Sequence, residues 1–271
     1  MNKLIKHRPT RIFAFGCSFT NYSWPTWANI IAFDLDIPLY NYGMSGAGNQ
    51  YIFNSIMQAD NYYNFNQDDL IMVCWTNISR EDRFIQGHWQ LHGNIYSQSY
   101  YDKDFVKKYV NESNGALRDF AAIKAAYEFI KFKNCQFHFL KMLDFEFFDQ
   151  WVLKEESTTI NAISNQYSKY LEKIEKSFIK VLWNNDLTIK QNEEAKIASG
   201  YIDGHPNVVE HFTYLENVFE HDFTDATKDK VYNTNTNLVN SIRLQLSNNI
   251  QPWHMKFEDL AFANLQKVII I

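Results

Sequence analysis

Arg11-Ile12-Phe13-Ala14-Phe15-Gly16-Cys17-Ser18-Phe19-Thr20 is the stretch to read first. Its apolar run is short, contains no polar residue after Arg11 and closes on glycine, which is the pattern of a strand buried on both faces. The next residues, Cys17 to Thr20, form a turn that presents a hydroxyl. Trp24 to Asp34 then carries an amphipathic helical pattern, and Pro25 sits where a first helical turn tolerates it.

The same alternation recurs downstream. Leu39-Tyr40-Asn41-Tyr42-Gly43 reads as a second strand, followed by a glycine-rich loop with Gly43, Gly46 and Gly48 and a helix from Asn49 to Asp60. Leu70 to Trp75 is a third strand, and Cys135 to Met142 a fourth, with an Ala-rich helix from Ala116 to Lys131 between them. Phe145 to Trp183 is mostly helical, Asp203-Gly204-His205-Pro206 is a turn, and Asn207 to Glu220 is a helix. Strands alternating with helices predict an α/β fold in which a parallel sheet is covered on both sides, a three-layer α/β/α sandwich. Ser79 to Asn114 has weak periodicity and is long for a connector, so it reads as an insertion or substrate-shaping lid. Beyond Asp222 the alternation stops, and Asn233-Thr234-Asn235-Thr236-Asn237 reads as a turn-prone tract. The expected division is a domain over 1–221 with an insertion at about 79–114, and an extension over 222–271 packed on that domain or on a partner. The apolar end Val268-Ile269-Ile270-Ile271 is expected to be docked.

Composition narrows the function. The chain has 271 residues, 46% of them apolar and 17% aromatic, enough for a sizeable core. A net charge of −5 argues against a broad nucleic-acid footprint. No apolar run approaches about 18 residues, so no membrane span is expected. The N-terminus lacks the apolar segment of a secretory signal, and the expected location is cytoplasmic, with association with a virus particle as the alternative. Cys17, Cys74 and Cys135 are widely spaced and form no CxxC pair, which fits reduced core cysteines. His205 and His211 are not spaced as zinc ligands, and no metal or organic cofactor is expected.

In an open parallel sheet, ligands bind beyond the carboxyl ends of the strands. Ser18, the Gly46 loop, Asn77 and the Asp203/His205 pair all fall at such positions. Serine needs a neighbouring base to become a nucleophile, and His205, with Asp203 two residues upstream, is the candidate. Glycine lets a backbone N–H approach a ligand closely, and Asn77 adds an amide donor. Taken singly, each has a plain structural reading: a turn serine, a turn Asp-Gly, a strand-ending asparagine. Trp75, Arg80 and Trp89 are candidate substrate contacts, Trp75 by narrowing an acyl pocket, Arg80 by turning back into the site and Trp89 by stacking on a sugar ring.

Together the blocks Phe15-Gly16-Cys17-Ser18-Phe19-Thr20, Asn41-Tyr42-Gly43-Met44-Ser45-Gly46, Trp75-Thr76-Asn77-Ile78 and Asp203-Gly204-His205-Pro206 resemble, in order, those of the SGNH, or GDSL-type, hydrolase superfamily. The resemblance implies a flavodoxin-like sheet of about five parallel strands. It implies Ser18 as nucleophile, His205 as base and Asp203 as its partner. It also implies an oxyanion hole from the Ser18 and Gly46 N–H groups and the Asn77 amide. Cys-Ser-Phe stands where the family name has Asp-Ser-Leu, Trp75 and Ile78 replace the usual Gly and Asp, and Asp203 lies two rather than three residues before the histidine. The implied activity is hydrolysis of small acyl esters, with O-acetyl esters of carbohydrates preferred and a small-molecule or glycan ester as partner. Acyl transfer to a sugar hydroxyl by the same triad, and a non-catalytic binding or structural module on the same fold, are the alternatives. The C-terminal extension is the expected surface for an oligomer or assembly partner.

Overall fold

The computed structural model describes residues 1–97, 100–145, 154–198, 201–257, 260 and 262. In chain order the elements are β1 (Asn2–Lys3), β2 (Arg11–Phe15), α1 (Trp27–Leu35), β3 (Leu39–Asn41), α2 (Asn49–Tyr63), β4 (Asp69–Trp75), β5 (Arg80–Ile85) and β6 (His88–Asn94). They continue with α3 (Lys103–Tyr109), α4 (Glu112–Phe132), β7 (Gln136–Lys141), α5 (Lys154–Leu171), α6 (Phe178–Trp183), α7 (Leu187–Ile197), α8 (Val208–Val218), β8 (Phe219–Glu220) and α9 (Asp225–Ser247).

The central sheet runs β3-β2-β4-β7 and is parallel throughout. Ile12 pairs with Leu39 on one side and Leu70 on the other. All seven residues of β4 are buried, as a strand covered on both faces requires. The charge among them, Asp69, is met by Arg11 Nε at 2.5 Å and Nη2 at 3.1 Å, a two-point contact that ties the start of β4 to the start of β2. Among the described residues the sheet has four strands. Where a fifth would add to β7 there is a single parallel bridge, Phe139 to Ile174, with the Glu175 N–H donating to Phe139 O at 2.8 Å. Helices α2, α4 and α5 pack on one another, and α1, α6, α8 and α9 form a second packed set, giving the layers on either side of the sheet.

One expectation gains detail and one changes. Ser79 to Asn114 contains an antiparallel hairpin, β5-β6, then helix α3 and the start of α4. Asn233 to Asn237 is not a turn but lies in the middle of α9. Thr227, Val231, Thr234, Leu238 and Ile242 form its buried stripe, which packs against α1 and α8. Two of the five stripe positions are threonine, so an apolar count along this segment misses the helical period. The Val268–Ile271 end lies outside the described residues, as does Trp151.

The helical assignment of the Asn/Thr tract is testable. Leu238→Ala should lower unfolding free energy by about 2–5 kcal/mol. Asn237→Ala, on the exposed side, should leave it unchanged or raise it by roughly 0.5 kcal/mol through helix propensity. Urea denaturation of both variants checks this; a turn at Asn237 would reverse the second result.

Candidate active site

β2 lies between β3 and β4, so the loops after these three strands meet at one edge of the sheet. The chain leaves β2 through a tight turn in which the Thr20 and Asn21 N–H groups donate to Cys17 O at 2.9 and 3.2 Å. Asn41, at the end of β3, braces this turn: its Nδ2 donates to Thr20 O at 2.9 Å while its Oδ1 accepts from the Gly43 N–H at 2.9 Å. Ser18 sits within the turn and is 6% exposed.

His205 reaches Ser18 from the far end of the chain. Its Nε2 lies 2.9 Å from Ser18 Oγ and its Nδ1 lies 2.7 Å from Asp203 Oδ1. The two-residue offset is accommodated because Gly204 adopts φ +80°, folding the chain so that the His205 N–H also donates to Asp203 Oδ1 at 3.0 Å. The structure thus brings Ser18, His205 and Asp203 into one hydrogen-bonded line. Burial pushes the Asp203 carboxyl up, but hydrogen bonds from His205 and Tyr22 and the nearby imidazole charge outweigh it, and the group ends below the usual carboxylate range. It therefore remains ionised opposite the imidazole at neutral pH.

Tyr22, unnoticed in the sequence, completes the arrangement. Its hydroxyl donates to Asp203 Oδ2 at 2.7 Å, and its ring stacks on the imidazole at 3.9 Å between centroids and 18° between planes. Both Asp203 oxygens are thereby engaged and one face of His205 is covered. Burial, then the Asp203 charge, pushes the Tyr22 phenol well above its ordinary range, so it stays a donor. Trp24 packs edge-on against Tyr22 and donates from Nε1 to Pro206 O at 2.8 Å.

The Asp203-Gly204 turn is held from below by α7, whose buried residues are Lys190 and Glu194. Glu194 Oε2 accepts from the Asp203 N–H at 3.1 Å and Oε1 from the Gly204 N–H at 2.9 Å. Lys190 Nζ lies 3.7 Å from Glu194 and 2.6 Å from Glu210, which closes a capping box with Asn207 at the start of α8. An i,i+4 Lys/Glu pair ordinarily marks a solvated helix face, and nothing in the local sequence shows that this one faces inward.

In the loop after β4, Asn77 Oδ1 accepts from the Ser79 N–H at 2.8 Å and Oγ at 2.7 Å. Its Nδ2 makes no hydrogen bond among the described residues, which leaves that end available as a donor. The preceding residue is clamped by Asn49: Thr76 N–H donates to Asn49 Oδ1 at 2.9 Å, and Asn49 Nδ2 donates to Thr76 O at 3.1 Å and to Asp119 Oδ2 at 2.9 Å. Burial raises the Asp119 carboxyl to about 6 despite the adjacent Arg118. Gly46 follows β3, and its N–H makes no hydrogen bond among the described residues.

Of the three candidate substrate contacts Trp75 departs from expectation, and Trp89 and Arg80 have partners within the fold. Trp75 is fully buried and packs edge-on against Phe139, so it belongs to the core of the sheet. Trp89 packs edge-on against Tyr51 and against Phe84, fastening the hairpin to α2. Arg80 donates from Nη1 to Ala47 O at 2.7 Å and so holds the glycine-rich loop. Cys17, Cys74 and Cys135 are buried and unpaired, as core cysteines should be. Among the described residues no group of three or more His, Cys, Asp or Glu side chains is placed to hold a metal ion. Nor is any helix among them long and apolar enough to cross a membrane.

No protein-family model matches the sequence, and no curated protein matches it by sequence. Several solved structures of G-D-S-L lipolytic proteins are similar to the chain. A member of that family from Veillonella parvula is 14% identical, with 76% of this chain and 96% of that one covered and a TM-score of 0.38. The psychrotrophic esterase EstA from Pseudoalteromonas sp. is 10% identical over 76% of this chain and 95% of its own, at a TM-score of 0.43. A GDSL-like lipase from Bacteroides thetaiotaomicron is 13% identical over 78% and 88%, at 0.40.

The support under the Asp203-Gly204 turn can be measured. Glu194→Ala would strip the acceptor from the Asp203 and Gly204 N–H groups while Lys190 keeps Glu210 at 2.6 Å, with an expected loss of about 1–3 kcal/mol in unfolding free energy. The double variant Lys190→Met, Glu194→Ala should be less stable than Glu194→Ala alone, because it also removes the partner of Glu210. Urea denaturation of the two variants tests the ranking, and a double variant more stable than Glu194→Ala would show that Lys190 depends on Glu194 rather than on Glu210.

Proposed function

We propose that this chain is a serine esterase that cleaves small acyl esters, O-acetyl esters of carbohydrates among them. The observation that carries the proposal is the continuous line Ser18 Oγ, His205 Nε2, His205 Nδ1, Asp203 Oδ1, with contacts of 2.9 and 2.7 Å. These distances lie within the range a general base needs to take a nucleophile's proton.

In this reading Ser18 Oγ attacks the ester carbonyl carbon as its proton passes to His205 Nε2. Asp203 stabilises the imidazolium that forms and holds its orientation, while Tyr22 fixes both partners. The negative charge on the former carbonyl oxygen is met by the Ser18 and Gly46 N–H groups and by Asn77 Nδ2. Collapse of the tetrahedral intermediate expels the alcohol, which takes the proton from Nε2. Water, deprotonated by His205, then attacks the acyl-Ser18 carbonyl, and the carboxylic acid leaves as Oγ is reprotonated. The low exposure of Ser18, 6%, supports a short acyl group over a long chain. The carbohydrate alcohol is favoured by the aromatic content of 17%. It receives no support from Trp75 or Trp89, both of which are used in packing.

Hydrolysis of 4-nitrophenyl acetate by wild type, Ser18→Ala and Tyr22→Phe tests the proposal. Ser18→Ala should lose about a thousandfold or more in kcat. Tyr22→Phe should lose roughly tenfold with little change in KM, since one hydrogen bond to the positioned carboxylate is removed and the stacked ring kept. Equal rates for wild type and Ser18→Ala would refute the nucleophile. Turnover of long-chain esters without action on acetylated sugars would refute the substrate class.

A further inference from the structure

The β5-β6 hairpin does not merely lie beside the glycine-rich loop; it grips it residue by residue. The Gly93 N–H donates to Gly46 O at 3.1 Å. Arg80 Nη1 donates to Ala47 O at 2.7 Å. Asp82 Oδ1 accepts from the Gly48 N–H at 2.7 Å, and Asp82 Oδ2 accepts from the Tyr51 N–H at 2.8 Å. Three consecutive loop residues and the first turn of α2 are thus bonded to the hairpin.

The sequence of the loop is fitted to that grip. Gly46 adopts φ +80°, and a Cβ there would lie 2.4 Å from Leu91 O, inside the hairpin backbone. A Cβ on Gly48 would lie 2.8 Å from Asp82 Oδ2. Gly48 is also the N-cap of α2, a position where a side-chain oxygen normally accepts from the third helical N–H. Glycine has no such oxygen. Asp82 supplies it from another element by taking the Tyr51 N–H, and its negative charge sits at the positive end of the helix. Every hydrogen bond the hairpin makes to residues 46 and 47 goes to a carbonyl oxygen, and the Gly46 N–H is left unbonded among the described residues.

We infer that Asp82 and Arg80 are positioning residues for the oxyanion hole, and that the inserted hairpin is a clamp that holds the Gly46 N–H in place rather than a lid over the substrate. The inference rests on the esterase reading above. Preorganised donors stabilise developing charge because they need not reorganise as the reaction proceeds. A loop of three glycines within six residues has little stiffness of its own, and the hairpin supplies what its backbone lacks.

The test uses the full chain as wild type, Ser18→Ala, Asp82→Ala, Asp82→Asn and Arg80→Met. Rates with 4-nitrophenyl acetate are expressed per mole of protein for Ser18→Ala and, for wild type and the variants that keep Ser18, per active site, titrated by the burst of 4-nitrophenolate released when diethyl 4-nitrophenyl phosphate phosphorylates the nucleophile. An unfolded fraction then drops out of the comparison. Asp82→Ala should lose about 100-fold in kcat, the size of effect seen when one oxyanion donor is removed, with KM within about threefold. Asp82→Asn keeps one acceptor oxygen and should recover part of the loss. Arg80→Met should lose roughly tenfold in kcat, and it decides the matter if Asp82→Ala does not fold. Wild-type kcat per titrated site in Asp82→Ala or Arg80→Met, or a loss expressed only in KM, would overturn the clamp. Activity that is absent in wild type or untouched in Ser18→Ala would instead overturn the esterase reading, and the clamp with it.

Discussion

The contact between His205 Nε2 and Ser18 Oγ joins residues 187 positions apart. A single hydrogen bond contributes about 1 kcal/mol net, far too little to hold a distant loop in register. The geometry of the site therefore depends on whatever fixes the loop that carries His205. Trp24 bonds Pro206 O from above, Glu194 takes two N–H groups from below, and the Asn207–Glu210 capping box anchors the following helix. Tyr22 then removes the remaining freedom, bonding Asp203 and covering the imidazole face at once.

The supports beneath the His205 loop and beneath the loop after β4 share a design. Each uses a carboxylate withdrawn from solvent to collect backbone or amide donors. On the His205 side it is Glu194, balanced by Lys190. On the Asn77 side Asp119 receives the Asn49 amide and is balanced by Arg118 at 2.8 Å. Burying such charges is unfavourable unless they are paired and fully hydrogen-bonded. They fix direction more than they add stability, because a desolvated carboxylate loses heavily when any of its donors moves. That is a fitting property beneath groups whose distances must hold to a few tenths of an ångström.

Much of the architecture was legible in the chain itself. Each strand of the central sheet begins or ends within a residue or two of its apolar run, since strands covered on both faces leave an uninterrupted hydrophobic signal. Ser18, Asp203 and His205 were legible as an ordered set of blocks, and the structure brings them together. Trp75 reads as a substrate contact yet lies in the core, because an aromatic beside a candidate site block looks the same in sequence whether it faces a ligand or a core. The tract from Asn233 to Asn237 was misread for the opposite reason. Its buried stripe uses threonine, whose methyl packs while its hydroxyl registers as polar.

What the sequence alone determined is the alternation of buried strands and helices, and with it the edge of the sheet to which Ser18, Asp203 and His205 are delivered. Periodicity and turn residues are local properties, and they are written wherever the chain must bury one face or reverse direction. Tertiary structure alone decided which polar residues serve the site. Tyr22, Asn49, Asp82, Lys190, Glu194 and Asp119 have ordinary neighbours in sequence, and they acquire their roles from partners up to 181 positions away. A hydrogen bond between elements depends on how helices and strands are packed, and no run of adjacent residues encodes that packing.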